Sequence, residues 1–181
     1  MKVVNCITVI FFACYAIAIR AETFFEHSQN IYESPTKFTD DTHKTLTLKD
    51  FSAQTNVITF AYANCRKVCV ESLQVLERLQ SEADNNNITV NFIVVSFDPL
   101  NDTPETWTEY RNHHQLNRTN WHFLTGSVEG TQQLARSLGI DYWLYDEHVM
   151  HDFKLILINS EGGISKIMDW TNRHDHWFLK D

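Results

Sequence analysis

The chain has 181 residues, 43% of them hydrophobic, and a formal net charge of −8 at pH 7. This length fits one domain with room for a hydrophobic core, and the sequence contains neither an internal repeat nor a low-complexity tract. The acidic balance argues against nucleic acid and anionic lipid surfaces as partners, because their binding depends on Lys and Arg meeting phosphate.

The first 21 residues have the order of features that is typical of a secretory signal. Lys2 is followed by an apolar stretch up to Ile19, and small residues lead to Ala18 and Ala21, the two candidate cleavage positions. We therefore predict a signal peptide over residues 1–21 and an exported domain over residues 22–181. An uncleaved N-terminal anchor is the alternative, because the apolar stretch is only slightly shorter than a membrane-spanning helix.

The next part of the chain predicts an arm followed by a strand and a helix. Residues 22–43 are polar and have no clear period, so we expect an extended N-terminal arm, and the alternation over residues 45–48 predicts a short strand. The continuous apolar run over residues 57–63 predicts a buried strand. After it, residues 70–83 carry apolar side chains near the helical spacing, which predicts a helix.

Cys65 and Cys69 lie at this strand-to-helix junction. Residues four apart in the first turn of a helix share one face, so both sulfurs can bind one metal ion or bond to each other. The helix N-terminus and the charges of Arg66 and Lys67 favour the thiolate form. Cleavage after Ala21 would leave these as the two cysteines of the mature chain, and one close pair indicates chemistry rather than scaffolding.

The remaining elements alternate and then change to strands only. An apolar run over residues 88–97 predicts a strand covered on both faces. Thr103, Pro104 and Glu105 are typical of a helix start, and we expect that helix to end near His114. Further predicted elements are a strand over 121–126, a helix over 127–138, and strands over 141–145, 149–158 and 164–170. This order predicts an α/β domain with a thioredoxin-like fold, a central mixed sheet with helices on both faces.

A trigonal Cu(I) site needs one ligand beyond two sulfurs, and imidazole can supply it. His148 and His151 lie at the start of the predicted strand over 149–158, where their opposite parity lets only one of them face the sulfurs. The residues alone leave the choice between them open. Asp98 and Asp102 are read either as general bases or as caps of the turn that contains them.

Several segments together resemble the Sco/SenC family, the thioredoxin-like copper-binding proteins that serve assembly of the dinuclear copper centre of cytochrome c oxidase. The matching segments are residues 60–65 with Cys69 four positions on, residues 96–99 followed by 102–105, residues 121–126, and a histidine ahead of a hairpin with glycine. They span roughly residues 55–165. The chain departs from the family at Arg66 and Val70, where the family commonly has proline, and this departure favours thiol chemistry.

The resemblance implies that Cys65, Cys69 and a distal histidine bind copper, as Cu(I) or also Cu(II). The family's histidine stands eleven residues before the hairpin glycine, and counting back from Gly162 gives His151, with His148 as the alternate. The implied partner is the copper-site subunit of cytochrome c oxidase or another exported copper or thiol protein. The implied location is the periplasm or the outer face of the inner membrane, with the N-terminus as a point of membrane attachment.

Two functions fit these residues. The first is a metallochaperone that receives Cu(I) and passes it to the oxidase, with redox capacity at the same Cys65–Cys69 pair. The second is a periplasmic thiol-disulfide oxidoreductase without a copper-delivery role, in which one thiolate attacks a partner disulfide and the other resolves the mixed intermediate.

Overall fold

A computed structural model describes residues 30–65, 68–145, 148–174, 176 and 178–180, and at positions 68–70 it describes the backbone only. The predicted signal peptide or anchor therefore lies outside the described residues. Within the described part of the chain, no helix combines the length and the apolar character that crossing a bilayer requires.

Nine strands and three α-helices make up the described fold. The helices are α1 (Val68–Asn86), α2 (Pro104–His114) and α3 (Val128–Ser137). The strands are β1 (Phe38–Asp40), β2 (Thr45–Leu46), β3 (Thr55–Ala61), β4 (Val90–Ser96), β5 (Trp121–Thr125), β6 (Tyr142–Tyr145), β7 (His148–His151), β8 (Leu155–Ile158) and β9 (Ile164–Met168).

Seven of these strands form one mixed sheet in the order β2-β1-β5-β4-β3-β8-β9. The central strands β3, β4 and β5 are parallel. On either side of them, β1 pairs antiparallel with β5, and β8 pairs antiparallel with β3. Every residue of β4 is buried, as expected for the middle strand of a sheet that is covered on both faces. This arrangement confirms the predicted mixed sheet.

The helices cover the sheet from both sides. Gln80 of α1 and Trp107 of α2 contact Trp121 and Phe123, which share one face of β5, so α1 and α2 pack on that face. Helix α3 belongs to the connection that leads from β5 across the sheet to β8. Helix α2 begins where the sequence predicts, because Thr103 accepts a hydrogen bond from Thr106 N–H and Pro104 is the first helical residue.

One prediction about the strands was wrong. The segment predicted as one strand over residues 149–158 consists of two, β7 and β8, and β7 pairs with β6 in a separate two-stranded ribbon. In the segment predicted as an extended arm, the described residues contain a 3-10 helix at Ile31–Glu33 and the strand β1, which pairs with β5. The single strand was predicted because the apolar pattern continues from β7 into β8.

Candidate metal centre

Three segments that are distant in sequence meet at one edge of the sheet. Strands β3 and β4 are parallel, so the residues that follow each of them, 62–65 and 97–103, leave the sheet at the same edge. Strand β8 runs antiparallel to β3, so the residues that precede it also lie at this edge. A hydrogen bond from Thr59 Oγ1 to Lys154 O, 2.9 Å long, ties that third segment to β3. The fold therefore brings Cys65 and the end of β7 to one place.

Cys65 ends a tight turn that connects β3 to α1. Its N–H donates to Tyr62 O over 3.0 Å, which closes the turn, and its side chain is half-buried against the hydrophobic core. The turn exists because Ala61 is the last residue of β3 and α1 starts only seven residues later. Cys65 thus lies at the sheet edge just ahead of α1.

Cys69 belongs to the first turn of α1, as the sequence predicts for its backbone. Its side chain lies outside the described residues, and so do Arg66 and Lys67. The prediction that the two sulfurs share one face, and the prediction that the neighbouring cations favour thiolate, therefore stay predictions.

His151, the last residue of β7, approaches the sulfur of Cys65. Its Nε2 atom lies 4.0 Å from Cys65 Sγ. His148 stands at the other end of β7, where it pairs with Tyr145 and is exposed. Within β7, His151 lies on the same face as the buried Val149, whereas His148 lies on the exposed face. Of the two candidate histidines, His151 is the one that the structure brings to Cys65.

A backbone contact fixes which nitrogen of the His151 ring faces the sulfur. Nδ1 lies 2.9 Å from the carbonyl oxygen of Asp152. A carbonyl oxygen can only accept, so the neutral ring carries its proton on Nδ1 and donates it there. Nε2 is then left with a lone pair directed toward Cys65. This is the arrangement by which proteins orient histidines that bind metals.

Aromatic side chains surround the His151 ring. The ring centroid of Phe97 lies 4.6 Å from that of His151, and the ring of Tyr62 meets it edge-on at 6.2 Å. Tyr142, opposite His151 in the ribbon, packs on Phe97 at 4.7 Å, and its burial raises the pKa of the phenol. Such packing restricts the imidazole to few orientations and keeps bulk water away from one side of it.

The separation of the two donors fits one soft ion between them. Bonds as long as those that Zn²⁺ makes in proteins, about 2.3 Å to sulfur and about 2.0 Å to nitrogen, would place the two donors about 3.7 Å apart in a trigonal site and about 4.3 Å apart in a linear one. The observed 4.0 Å falls between these values. Among the described side chains, which do not include that of Cys69, no three of His, Cys, Asp and Glu form a group able to hold a metal ion.

The two aspartates that follow β4 have different environments. Asp98 accepts from Asn101 Nδ2 at 2.9 Å, which agrees with the interpretation as a cap of the turn. Asp102 is only 2% exposed and accepts from the N–H of Ala63 at 3.1 Å and from Ser96 Oγ at 2.6 Å. Burial raises the pKa of Asp102 to about 6, although both hydrogen bonds lower it.

Sequence reasoning missed two parts of this site. The aromatic residues around His151 gave no signal, since Tyr62 and Phe97 continue apolar runs and look like ordinary core positions. The link from Asp102 to the cysteine turn joins residues 39 positions apart, and no local pattern encodes it. The burial of Asp102 could have been suspected only from its position in the loop that follows a buried parallel strand.

The sequence of this chain is similar to those of known proteins. A family model described as SCO1/SenC matches residues 26–179. The mitochondrial protein SCO2 of Saccharomyces cerevisiae is 26% identical over 140 residues, and the match covers 71% of this chain. The chain spans 44% of the length of SCO2 and 61% of that of a relative in Stutzerimonas stutzeri, about half the length of the curated relatives that it matches.

Solved structures agree in fold. A SCO1/SenC family lipoprotein from Bacillus anthracis has 25% identity and a TM-score of 0.70, with 80% of this chain and 88% of that chain covered. The copper-bound ScoI of Arabidopsis thaliana has 24% identity and a TM-score of 0.67, with 74% of this chain and 85% of that chain covered. These similarities confirm the predicted thioredoxin-like fold.

Proposed function

The chain belongs to the SCO1/SenC family, and from this membership and the contact between Cys65 and His151 we propose that it is an exported protein that binds Cu(I). Cys65, Cys69 and His151 would be the ligands, and the cargo would pass to the dinuclear copper centre of cytochrome c oxidase. The observation that carries the proposal is the 4.0 Å approach of His151 Nε2 to Cys65 Sγ, with the ring oriented by Asp152 O.

The donor set suits Cu(I) better than a harder ion. Thiolate sulfur and imidazole nitrogen are soft or borderline ligands, and Cu(I) accepts three of them without demanding a fourth. Binding two cysteines as thiolates would release their protons, so affinity would rise with pH until both thiols are ionised. The half-buried position of Cys65 would leave one side of the ion open to an incoming ligand.

Delivery would proceed by exchange of ligands. A donor atom of the acceptor protein would bond to the ion on its open side while the bond to one ligand of this chain breaks. His151 belongs to a two-stranded ribbon outside the main sheet and is therefore the ligand best placed to move away first. The same pair of sulfurs would support thiol-disulfide exchange when no ion is bound.

Copper titration tests the proposal. We expect the reduced domain to bind one Cu(I) per chain, and we expect His151→Ala to weaken binding by about 100-fold or more, since loss of a ligand exceeds the effect of losing a supporting contact. His148→Ala is the matched control, because His148 lies on the same strand and is exposed. A competition titration against a coloured Cu(I) chelator measures both.

The oxidoreductase alternative is separated by a second assay on the same proteins. If His151 serves copper, His151→Ala should leave reduction of insulin disulfides nearly unchanged, because that reaction requires the sulfurs only. Loss of reductase activity in His151→Ala with intact copper affinity would instead favour the oxidoreductase. A large effect of His148→Ala on copper affinity would show that His148, and not His151, is the third ligand.

We also propose that the chain acts outside the cytoplasm, in the periplasm or at the outer face of the inner membrane. The support is the signal-like sequence of residues 1–21. Sequencing the N-terminus of the mature protein distinguishes cleavage from an anchor: a start at Glu22 or near it indicates cleavage. A retained Met1 in the membrane fraction indicates the anchor.

A further inference from the structure

Asp102 connects two segments of the candidate metal centre. Its Oδ1 atom accepts a hydrogen bond of 3.1 Å from the N–H of Ala63, and its Oδ2 accepts one of 2.6 Å from Ser96 Oγ. Its backbone carbonyl accepts from Thr125 Oγ1 at 2.7 Å. One residue thus joins the segments that follow β3 and β4 to the end of β5.

The bond to Ala63 acts on the turn that carries Cys65. Ala63 lies between Tyr62 and Cys65, and the turn is closed by the hydrogen bond from Cys65 N–H to Tyr62 O. A chain of two hydrogen bonds therefore leads from the buried carboxyl group to the backbone of Cys65. None of these contacts requires a bound ion.

We propose that Asp102 is a positioning residue that fixes the turn bearing Cys65 through its hydrogen bond to Ala63, and that protonation of its carboxyl group weakens this hold. Its role in copper binding rests on the proposed function, whereas its hold on Ala63 does not. A carboxylate accepts a stronger hydrogen bond than a neutral carboxyl group, so the turn should be held most firmly when Asp102 is ionised.

The surroundings of Asp102 make this protonation accessible near neutral pH. Burial is the main cause that raises its pKa, and the adjacent carboxyl group of Asp98 raises it further. The hydrogen bonds that Ser96 and Ala63 donate to Asp102 lower its pKa and so act against these two causes. Among the described residues, Asp98 is the charged side chain that acts on Asp102. The carboxyl group of Asp102 therefore changes its charge at a pH close to neutral, where the folded protein can be studied.

Two variants separate the hydrogen bond from the charge. Asp102→Asn is neutral but keeps an oxygen that can accept from Ala63 N–H, while Asp102→Ala is neutral and has no acceptor. Asp40→Ala is the matched control: Asp40 is also buried, and its Oδ1 accepts from the N–H groups of Thr42 and Lys44 in the turn between β1 and β2.

The first measurement follows the Ala63 amide by NMR from about pH 5 to about pH 8. In the wild type we expect its chemical shift to titrate with a midpoint near the pKa of Asp102, about 6. In Asp102→Asn, the part of this pH-dependent shift change that comes from Asp102 should be lost. Any part that comes from histidines should remain, because both proteins contain the same histidines. Hydrogen exchange at Ala63 should accelerate about fivefold or more in Asp102→Ala, as expected for the loss of one hydrogen bond, and stay unchanged in Asp40→Ala.

The second measurement compares Cu(I) affinity. Asp102→Ala should bind about fivefold to tenfold more weakly than Asp102→Asn, because both variants are neutral and differ in the bond to Ala63. Asp40→Ala should bind like the wild type. Equal affinities of the two Asp102 variants would overturn the positioning role in copper binding.

The hold of Asp102 on the turn and its role in copper binding can be refuted independently. An Ala63 shift that titrates identically in wild type and Asp102→Asn would overturn the hold on the turn, whatever copper does. If no protein in the set binds Cu(I), the proposed function fails, but the titration and exchange of Ala63 still decide the role of Asp102.

Discussion

Asp102→Asn should make the protein more stable at neutral pH, because the wild type buries a carboxyl group whose pKa is raised. Asp102 is 2% exposed, and its pKa rises from 3.8 to about 6 on folding, chiefly through burial. Between these two values the folded state keeps the proton that the unfolded chain has lost. Wild-type stability therefore falls as pH rises through this window and stays lower above it.

The size of the effect follows from the shift. A pKa unit corresponds to about 1.4 kcal/mol, so a shift of about two units lowers the free energy of unfolding by about 3 kcal/mol above pH 6. The asparagine side chain never ionises and avoids this loss, although its amide nitrogen must adapt to Ser96. We expect Asp102→Asn to exceed the wild type by about 1 to 3 kcal/mol at neutral pH.

Urea unfolding at a series of pH values measures this difference. The two proteins should have nearly equal stability below about pH 3, where the wild-type carboxyl group is protonated in both states, and should diverge as pH rises to about 7. Carboxyl groups with lowered pKa, such as those of Asp40 and Asp50, affect both proteins equally and cancel. A difference that is independent of pH, or a wild type that is more stable at neutral pH, would show that folding does not raise the pKa of Asp102.

Four further substitutions, one of them a surface control, test the packing and the turns by urea unfolding. Leu79→Ala should lower stability by about 2 to 5 kcal/mol because Leu79 is fully buried, whereas Leu100→Ala, at an 80% exposed position, should change it by less than about 0.5 kcal/mol; equal effects would contradict the assigned core. Gly162→Ala should lower stability by more than about 1 kcal/mol, since Gly162 has φ +90° and an added Cβ would clash with Asn30; a neutral result would contradict that packing. Gln115→Gly should raise stability by about 0.5 to 1 kcal/mol, because Gln115 ends α2 with φ 58°, and a loss would show that its side chain matters more than its backbone.

The central part of the fold was predictable because local signals there agree with the tertiary structure. The continuous apolar runs that become β3 and β4 are typical of buried strands. Thr103 with Pro104 marks the start of α2. These features depend on neighbouring residues only. The same local chemistry operates in the folded state, so the sequence alone sufficed.

The division between β7 and β8 was not predictable in this way. Val149 and Phe153 are both buried, so the apolar pattern continues through the break between the two strands. No glycine or proline marks that break. The break appears only because β7 pairs with β6, while β8 pairs with β3 of the main sheet.

The candidate site shows the same limit. Strand parity indicated that only one of His148 and His151 could face the cysteines, but it did not indicate which. The hairpin spacing pointed to His151, and the structure adds the contact to Cys65 and the hydrogen bond to Asp152 O. Asp102 could be named from sequence as a polar residue in a turn, but its hold on Ala63 depends on the pairing of β3 with β4.

X-ray absorption at the copper edge of the Cu(I)-loaded protein identifies the atoms bound to the ion. We expect a shell of two sulfurs at about 2.3 Å and one nitrogen at about 2.0 Å, with the nitrogen contribution lost in His151→Ala and retained in His148→Ala. A shell that is identical in the wild type and His151→Ala, or one without sulfur, would contradict the assignment of Cys65, Cys69 and His151 as the copper ligands.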